Sequence, residues 1–253
     1  MTFRMRYILA AGVLAVFCVA AALLSRSDKA VRRMLCCSDV DLTLTDTLGS
    51  ATVADLLQVL EDGYGCATGQ RLDSVCLYKI EDLMRSHPSV LDCQAWTTGD
   101  GILHISVENR APVALLRKGR AAAYLDGTGY LIPIYSGTVA VPEITGDIPL
   151  GSGLFKEGAD GGAWAQDIVA LMQYISDHGL WGDMVTGIRV NRDSGLEMRS
   201  ARGPEKIIFG EIDNFESKFG RIERYMSEIA PLKGPYKSVN VKFNNQIICR
   251  KDI

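Results

Sequence analysis

Gly101-Ile102-Leu103-His104-Ile105-Ser106-Val107-Glu108-Asn109-Arg110-Ala111-Pro112-Val113-Ala114 decides how the chain is divided. Leu103, Ile105 and Val107 alternate with His104, Ser106 and Glu108, the period of a strand with one buried face. Asp100-Gly101 before it reads as a hairpin turn, and Leu91, Cys93 and Ala95 alternate on the other arm. After Arg110 a new pattern starts. Val113 to Leu116, Ala122 to Leu125 and Tyr130 to Ile134 read as short strands, broken by Lys118-Gly119 and Asp126-Gly127-Thr128-Gly129.

Upstream, Val40, Leu42 and Leu44 predict a half-buried strand. Val53, Leu56, Leu57 and Leu60 recur at helical spacing, with Thr52 as a cap. A second helix carries Leu77, Ile80, Leu83 and Met84, is capped by Asp73 or Ser74, and ends at Pro88. Strand, helix, helix, strand, strand is a compact α+β unit whose two helices cover one face of a small sheet.

Downstream, the glycine-rich run from Gly146 to Gly162 reads as a loop, and Glu143-Ile144-Thr145-Gly146 does not read as a buried strand. Trp164, Ile168, Leu171, Met172 and Ile175 share one side of a helix from about Ala163 to Asp177. Strands follow near Val185–Val190, Leu196–Arg199 and Lys206–Phe209. Phe215, Phe219, Ile222, Met226 and Ile229 mark another amphipathic helix, started by Asp213 or Asn214 and expected to stop before Pro231. Ser238–Phe243 and Gln246–Lys251 are strand-like runs joined by Asn244-Asn245.

The run Ile8–Leu24 carries no charge and lies between Arg6 and Arg26. It predicts a single transmembrane helix, with Ile8, Val13, Val16, Phe17 and Leu24 among the anchoring residues. A cleaved signal peptide is the alternative, Ala20-Ala21-Ala22 offering a small-residue site. The expected divisions are a cytoplasmic head at 1–7, the anchor at 8–24, a basic spacer at 25–37, and folded units at 38–109 and 110–253.

The balance of 27 Lys plus Arg against 30 Asp plus Glu lacks the basic footprint of a nucleic-acid binder. Of the seven cysteines, Cys66 and Cys76 flank one loop and are the expected disulfide pair, while Cys93 and Cys249 read as small buried hydrophobes. Cys36, Cys37 and the rest fit no zinc spacing. The histidines, His87, His104 and His178, stand apart, and no GxSxG elbow or HExxH is present. Gly151-Ser152-Gly153 through Gly161-Gly162 lacks the Gly-Lys-Ser/Thr of a phosphate loop. Catalytic, cofactor-binding and metal-ligating residues are each expected to be none.

Four segments together carry a family resemblance: Glu108-Asn109-Arg110-Ala111-Pro112-Val113-Ala114, Tyr124-Leu125-Asp126-Gly127-Thr128-Gly129, Lys206-Ile207-Ile208-Phe209-Gly210 and Ser238-Val239-Asn240-Val241-Lys242-Phe243. In order and spacing they resemble the FtsQ/DivIB family of bacterial cell-division proteins, over about residues 40–253. The resemblance implies a POTRA domain at 38–109 and, at 110–253, a mixed α/β "β domain" with an antiparallel sheet and a C-terminal edge strand. It implies a non-enzymatic divisome scaffold in the inner membrane at the septum, its bulk in the periplasm. Its partners would be FtsB-like and FtsL-like coiled-coil membrane proteins, with septal peptidoglycan synthase components besides, and no small-molecule substrate.

The partner strand would be accepted at Val239, Asn240, Val241, Lys242, Phe243, Gln246, Ile247 and Ile248, by pairing at an open sheet edge. Asn240 stands where the family has aspartate, and Asn244 to Arg250 replace its Gly/Ala-rich tail. A POTRA-bearing module of an envelope secretion or outer-membrane assembly system is the alternative function.

Overall fold

The computed structural model describes residues 35–45, 51–136, 138–203, 205–233 and 236–251. The expected anchor, Ile8–Leu24, lies outside them. Among the described residues no helix is long and apolar enough to cross a membrane. They form two compact units, one holding Val53–Glu108 with the segment up to Thr45, the other Asn109 onward with the segment up to Thr52.

The first unit runs β1 (Asp39–Leu44), α1 (Val53–Gly63), α2 (Leu77–Arg85), β2 (Val90–Thr97) and β3 (Ile102–Asn109). Its sheet has the order β1-β3-β2. β1 lies parallel to β3, Leu42 opposite Ile105 and Leu44 opposite Val107, so the chain needs the two-helix crossover between them. Leu56, Leu60, Ile80 and Met84 from the helices meet Leu42, Cys93, Leu103, Ile105 and Val107 in the core. The start of α2 differs from expectation. Its N-cap is Cys76, without a side-chain hydrogen bond, while Asp73 pairs with Arg71 at 2.8 Å and the Ser74 hydroxyl donates to the Arg71 carbonyl.

The second unit begins with β4 (Pro112–Lys118), β5 (Ala121–Asp126), β6 (Tyr130–Pro133), β7 (Glu143–Gly146), α3 (Leu154–Glu157), β8 (Ala159–Asp160) and α4 (Gly162–Asp177). It continues with β9 (Gly187–Asn191), β10 (Gly195–Arg199), β11 (Lys206–Gly210) and α5 (Phe215–Arg224). A π-helical turn (Tyr225–Ile229), α6 (Ala230–Lys233), β12 (Ser238–Asn240) and β13 (Ile248–Arg250) complete it. One sheet holds all ten strands, in the order β13-β12-β11-β10-β9-β7-β4-β5-β6-β8.

The sheet is mixed rather than antiparallel. β7 runs parallel to both β4 and β9, and β12 runs parallel to β11. Glu143–Gly146, not expected as a strand, is the sixth of the ten. Only Ile144 of its residues is buried, and backbone pairing on both sides holds it in place. On the other face Arg117 pairs with Glu143. The Gly146–Gly162 run likewise contains α3 and β8, with Phe155 buried in the core.

Ile168, Leu171, Met172 and Ile175 of α4, with Phe219, Ile222 and Tyr225, cover one face of the sheet against Leu116, Ile144, Ile188, Phe209, Val239 and Val241. The helix begun at Phe215 does not stop before Pro231 but continues to Lys233. A proline ring would clash with the carbonyl four residues back, and the wider π turn relieves that crowding.

Two residues quoted for the family resemblance meet at the start of this unit. Arg110 Nη1 donates to Asp126 Oδ2 at 2.8 Å, and its guanidinium lies 4.3 Å from the centre of the Tyr130 ring. Asp126 Oδ1 accepts the Thr128 and Tyr130 amides at 2.8 and 2.9 Å and the Thr128 hydroxyl at 2.7 Å. The Asp-Gly-Thr-Gly turn is thus folded around one buried carboxylate.

Candidate partner-binding edge

The C-terminal hairpin supplies the edge. Ile207 of β11 faces Val239 of β12, which faces Cys249 of β13; Ile208, Asn240 and Ile248 form the next row. The first row turns to the core and the second to the opposite face, so Val239 is fully buried while Ile248 is 42% exposed. The expected site strand is therefore interior: Ser238–Asn240 is paired on both sides, and the open edge lies one strand further, on β13.

Backbone direction identifies the free groups. Val241 N–H donates to the Ile208 carbonyl at 3.0 Å, so Val239 and Val241 turn their backbones to β11. Ser238 and Asn240 then face Arg250 and Ile248, which leaves the N–H and C=O of Cys249 on the outer side of β13.

The eight residues expected to bind a partner are thus divided. Val241 is buried, and its carbonyl accepts both Nε and Nη2 of Arg221, at 3.2 and 2.8 Å. Asn240 Oδ1 accepts the Lys242 amide at 2.9 Å and starts the turn. Phe243, 48% exposed, and Gln246 lie in that turn, Asn245 adopts a left-handed φ of 59°, and Ile247 leads into β13. Ile247 and Ile248 belong to the open edge; Val239 and Val241 serve the core.

Two further buried groups hold the chain on either side of β11. Lys218, 2% exposed, donates to the Glu211 carbonyl at 2.7 Å and to Asp213, and that ion pair holds the Asp213 carboxyl below the usual carboxylate range. Tyr225 donates to Glu205 Oε1 at 2.7 Å; burial first, then the Glu205 carboxylate, raises its phenol. Burial also raises the Cys249 thiol.

Across the rest of the sheet's outer face, Arg189, Arg199 and Lys206 flank Glu197 in an open groove of about 410 Å³. Burial alone would raise Glu197, but hydrogen bonds from Ser194 at 2.6 Å and Lys206 at 3.0 Å hold it below its ordinary value.

The histidines stay apart. His87 sits against the Ser89 hydroxyl, its pKa lowered by burial. His178 caps α4 and stacks on Tyr174. His104 lies between Asp41 at 3.0 Å and the Thr98 hydroxyl at 3.1 Å, an order that resembles a nucleophile chain, but Thr98 donates its proton to Asp100. That cluster fixes the hairpin turn. Among the described residues no group of three or more His, Cys, Asp or Glu side chains could hold a metal ion. Cys36, Cys37, Cys66, Cys76, Cys93 and Cys249 are free thiols, so the expected Cys66–Cys76 bridge is not formed. Cys93 is buried, whereas Cys249 is half-buried at the edge.

Residues 111–250, more than half of the chain, match the family model described as "FtsQ/DivIB, C-terminal related". The chain belongs to the FtsQ/DivIB family. A relative, the "Cell division protein FtsQ" of Salinibacter ruber (strain DSM 13855 / M31), is 25% identical over an alignment of 199 residues, and the match covers 72% of this chain and 72% of the relative.

Proposed function

We propose that this protein serves bacterial cell division as a non-catalytic scaffold that captures a partner strand at β13. Family membership and the division-protein relative support the cell-division role. The observation that carries the binding mode is the open strand Ile248–Arg250, whose outward Cys249 backbone is flanked by exposed Ile248 and Phe243. A docking strand would satisfy that backbone, while the two apolar side chains select its sequence. The partner would be an FtsB-like coiled-coil protein paired with an FtsL-like one. Residues 38–109 would act as the POTRA domain, and Ile8–Leu24 would hold the assembly in the inner membrane with its bulk in the periplasm.

The test is binding of the full chain, in detergent micelles, to the extracytoplasmic segments of FtsB-like and FtsL-like proteins, beside a Cys249→Pro variant. Proline there removes an outward donor and leaves the ladder to β12 in place. Binding by the parent and loss by a folded variant support the reading. Failure of the folded parent to bind sinks it, and equal binding by both moves the interface off β13.

A further inference from the structure

Trp164 and Asp167, one turn apart at the start of α4, and Glu211, Ile212 and Asp213, which join β11 to α5, line one open groove of about 410 Å³. Its floor is apolar. Leu196 is buried there, and Trp164 and Ile212 pack on the core while remaining half-exposed. The nine lining residues include three carboxylates and no lysine, arginine or histidine, so the groove carries one sign of charge. Lys218, 2% exposed, neutralises only Asp213; it also donates to the Glu211 carbonyl at 2.7 Å, which fixes the turn. Among the described residues the Asp167 and Glu211 carboxylates form no ion pair.

Two unpaired carboxylates beside a half-exposed indole and an apolar floor are complementary to one kind of side chain, a cation on an apolar stem. Arginine fits better than lysine, since its planar guanidinium stacks on an indole and donates to two carboxylates at once. We propose that this groove is a docking site for an arginine-bearing, otherwise apolar segment of a partner protein. The guanidinium lies over Trp164 between Asp167 and Glu211, and the stem rests on Ile212. No residue of β12 or β13 lines the groove, so the site does not depend on strand capture at the C-terminal edge.

The test is a titration of the full chain, in detergent micelles, with the peptide acetyl-leucyl-arginyl-leucinamide, followed by the indole N–H resonances of the three tryptophans. The glutamyl and uncharged norleucyl counterparts of the peptide are the controls. The arginyl peptide is expected to shift the Trp164 signal saturably and to leave those of Trp96 and Trp181 in place, with weaker binding as salt rises. Asp167→Asn/Glu211→Gln, two exposed isosteric changes, is expected to weaken binding about tenfold. Absence of a saturable Trp164 shift in the parent overturns the proposal, whether or not the variant folds. So does an equal shift by the glutamyl peptide, or unchanged binding in the folded variant. An equal shift by the norleucyl peptide overturns it as well, and makes the groove a site for an apolar side chain.

Discussion

Arg221 and Val241 are joined by two hydrogen bonds to a single carbonyl, from Nε at 3.2 Å and Nη2 at 2.8 Å. Arg221 is only 8% exposed and Val241 not at all, so the contact fixes where β12 ends and the hairpin to β13 begins. The remaining Nη1 donates to Ser217 at 2.7 Å, one turn earlier on the same helix. Replacing Arg221 by Met leaves the carbonyl without these donors at similar side-chain length. The expected loss is about 1.5–3 kcal/mol in urea unfolding, the range for hydrogen bonds to a charged group. Arg221→Lys should recover part of it, because one ammonium can still reach one acceptor.

Asp126 gathers three donors of its own turn and the guanidinium of Arg110. Asp126→Ala removes all four acceptor contacts and leaves Arg110 beside a buried void. A loss of about 3–5 kcal/mol is expected, as for breaking one side of a buried pair, measured by the denaturation midpoint. Asp126→Asn keeps Oδ1 and should cost less.

Gly195 and Gly210 meet where β10 begins and β11 ends. Gly195 has a φ of +76°, and a Cβ on it would stand 2.5 Å from the Gly210 carbonyl oxygen. Gly210 has a φ of +83°, but the three atoms nearest its added Cβ all belong to the Lys242 side chain, the closest at 2.7 Å. Gly195→Ala is therefore expected to destabilise more than Gly210→Ala, because backbone cannot swing away as lysine can. A strain of about 1–3 kcal/mol is the scale for the left-handed backbone alone. Thermal unfolding of the two variants reports the order.

Acid should weaken the second unit through Asp213 and Glu197. Their carboxyls are held below ordinary values, so the unfolded chain binds protons at a pH where the folded chain does not. The stabilisation is complete above the unfolded carboxylate range of about pH 4, and it fades as pH falls through the lowered folded values. Asp213→Asn abolishes its share. The stability gap between parent and variant, followed from pH 6 down, is expected to close below about pH 4.

The α+β class and the alternation of β3 and β11 were legible because each strand shows one buried face; β2 departs from its expected face, since Leu91 is 46% exposed while Val90 and Cys93 are buried. β7 was not, since a strand held by backbone bonds on both flanks needs only one buried apolar side chain, Ile144. α3 and β8 were hidden by the glycines around them. The expected partner-binding residues straddle β12 and β13, of which only β13 is the edge, for a related reason. Val239 and Val241 give the strong alternating signal because they are core, whereas β13 is three residues of exposed and half-buried character. In a short edge strand the free backbone, which has no letter in the sequence, is what matters.

That distinction yields a test by proline. Val241 N–H is bonded to Ile208, its carbonyl takes Arg221, and its side chain is fully buried. Val241→Pro removes the donor, shifts the acceptor and empties a core position, so a loss of about 3 kcal/mol or more is expected. Cys249→Pro touches only the outward donor of β13 and a half-buried side chain. Edge positions tolerate proline, and a change within about 1 kcal/mol is expected there. Urea unfolding of the two variants decides the matter: comparable losses would mean that β13 is not the free edge, and a large loss for Val241→Pro alone would leave Cys249→Pro as the clean probe of strand capture.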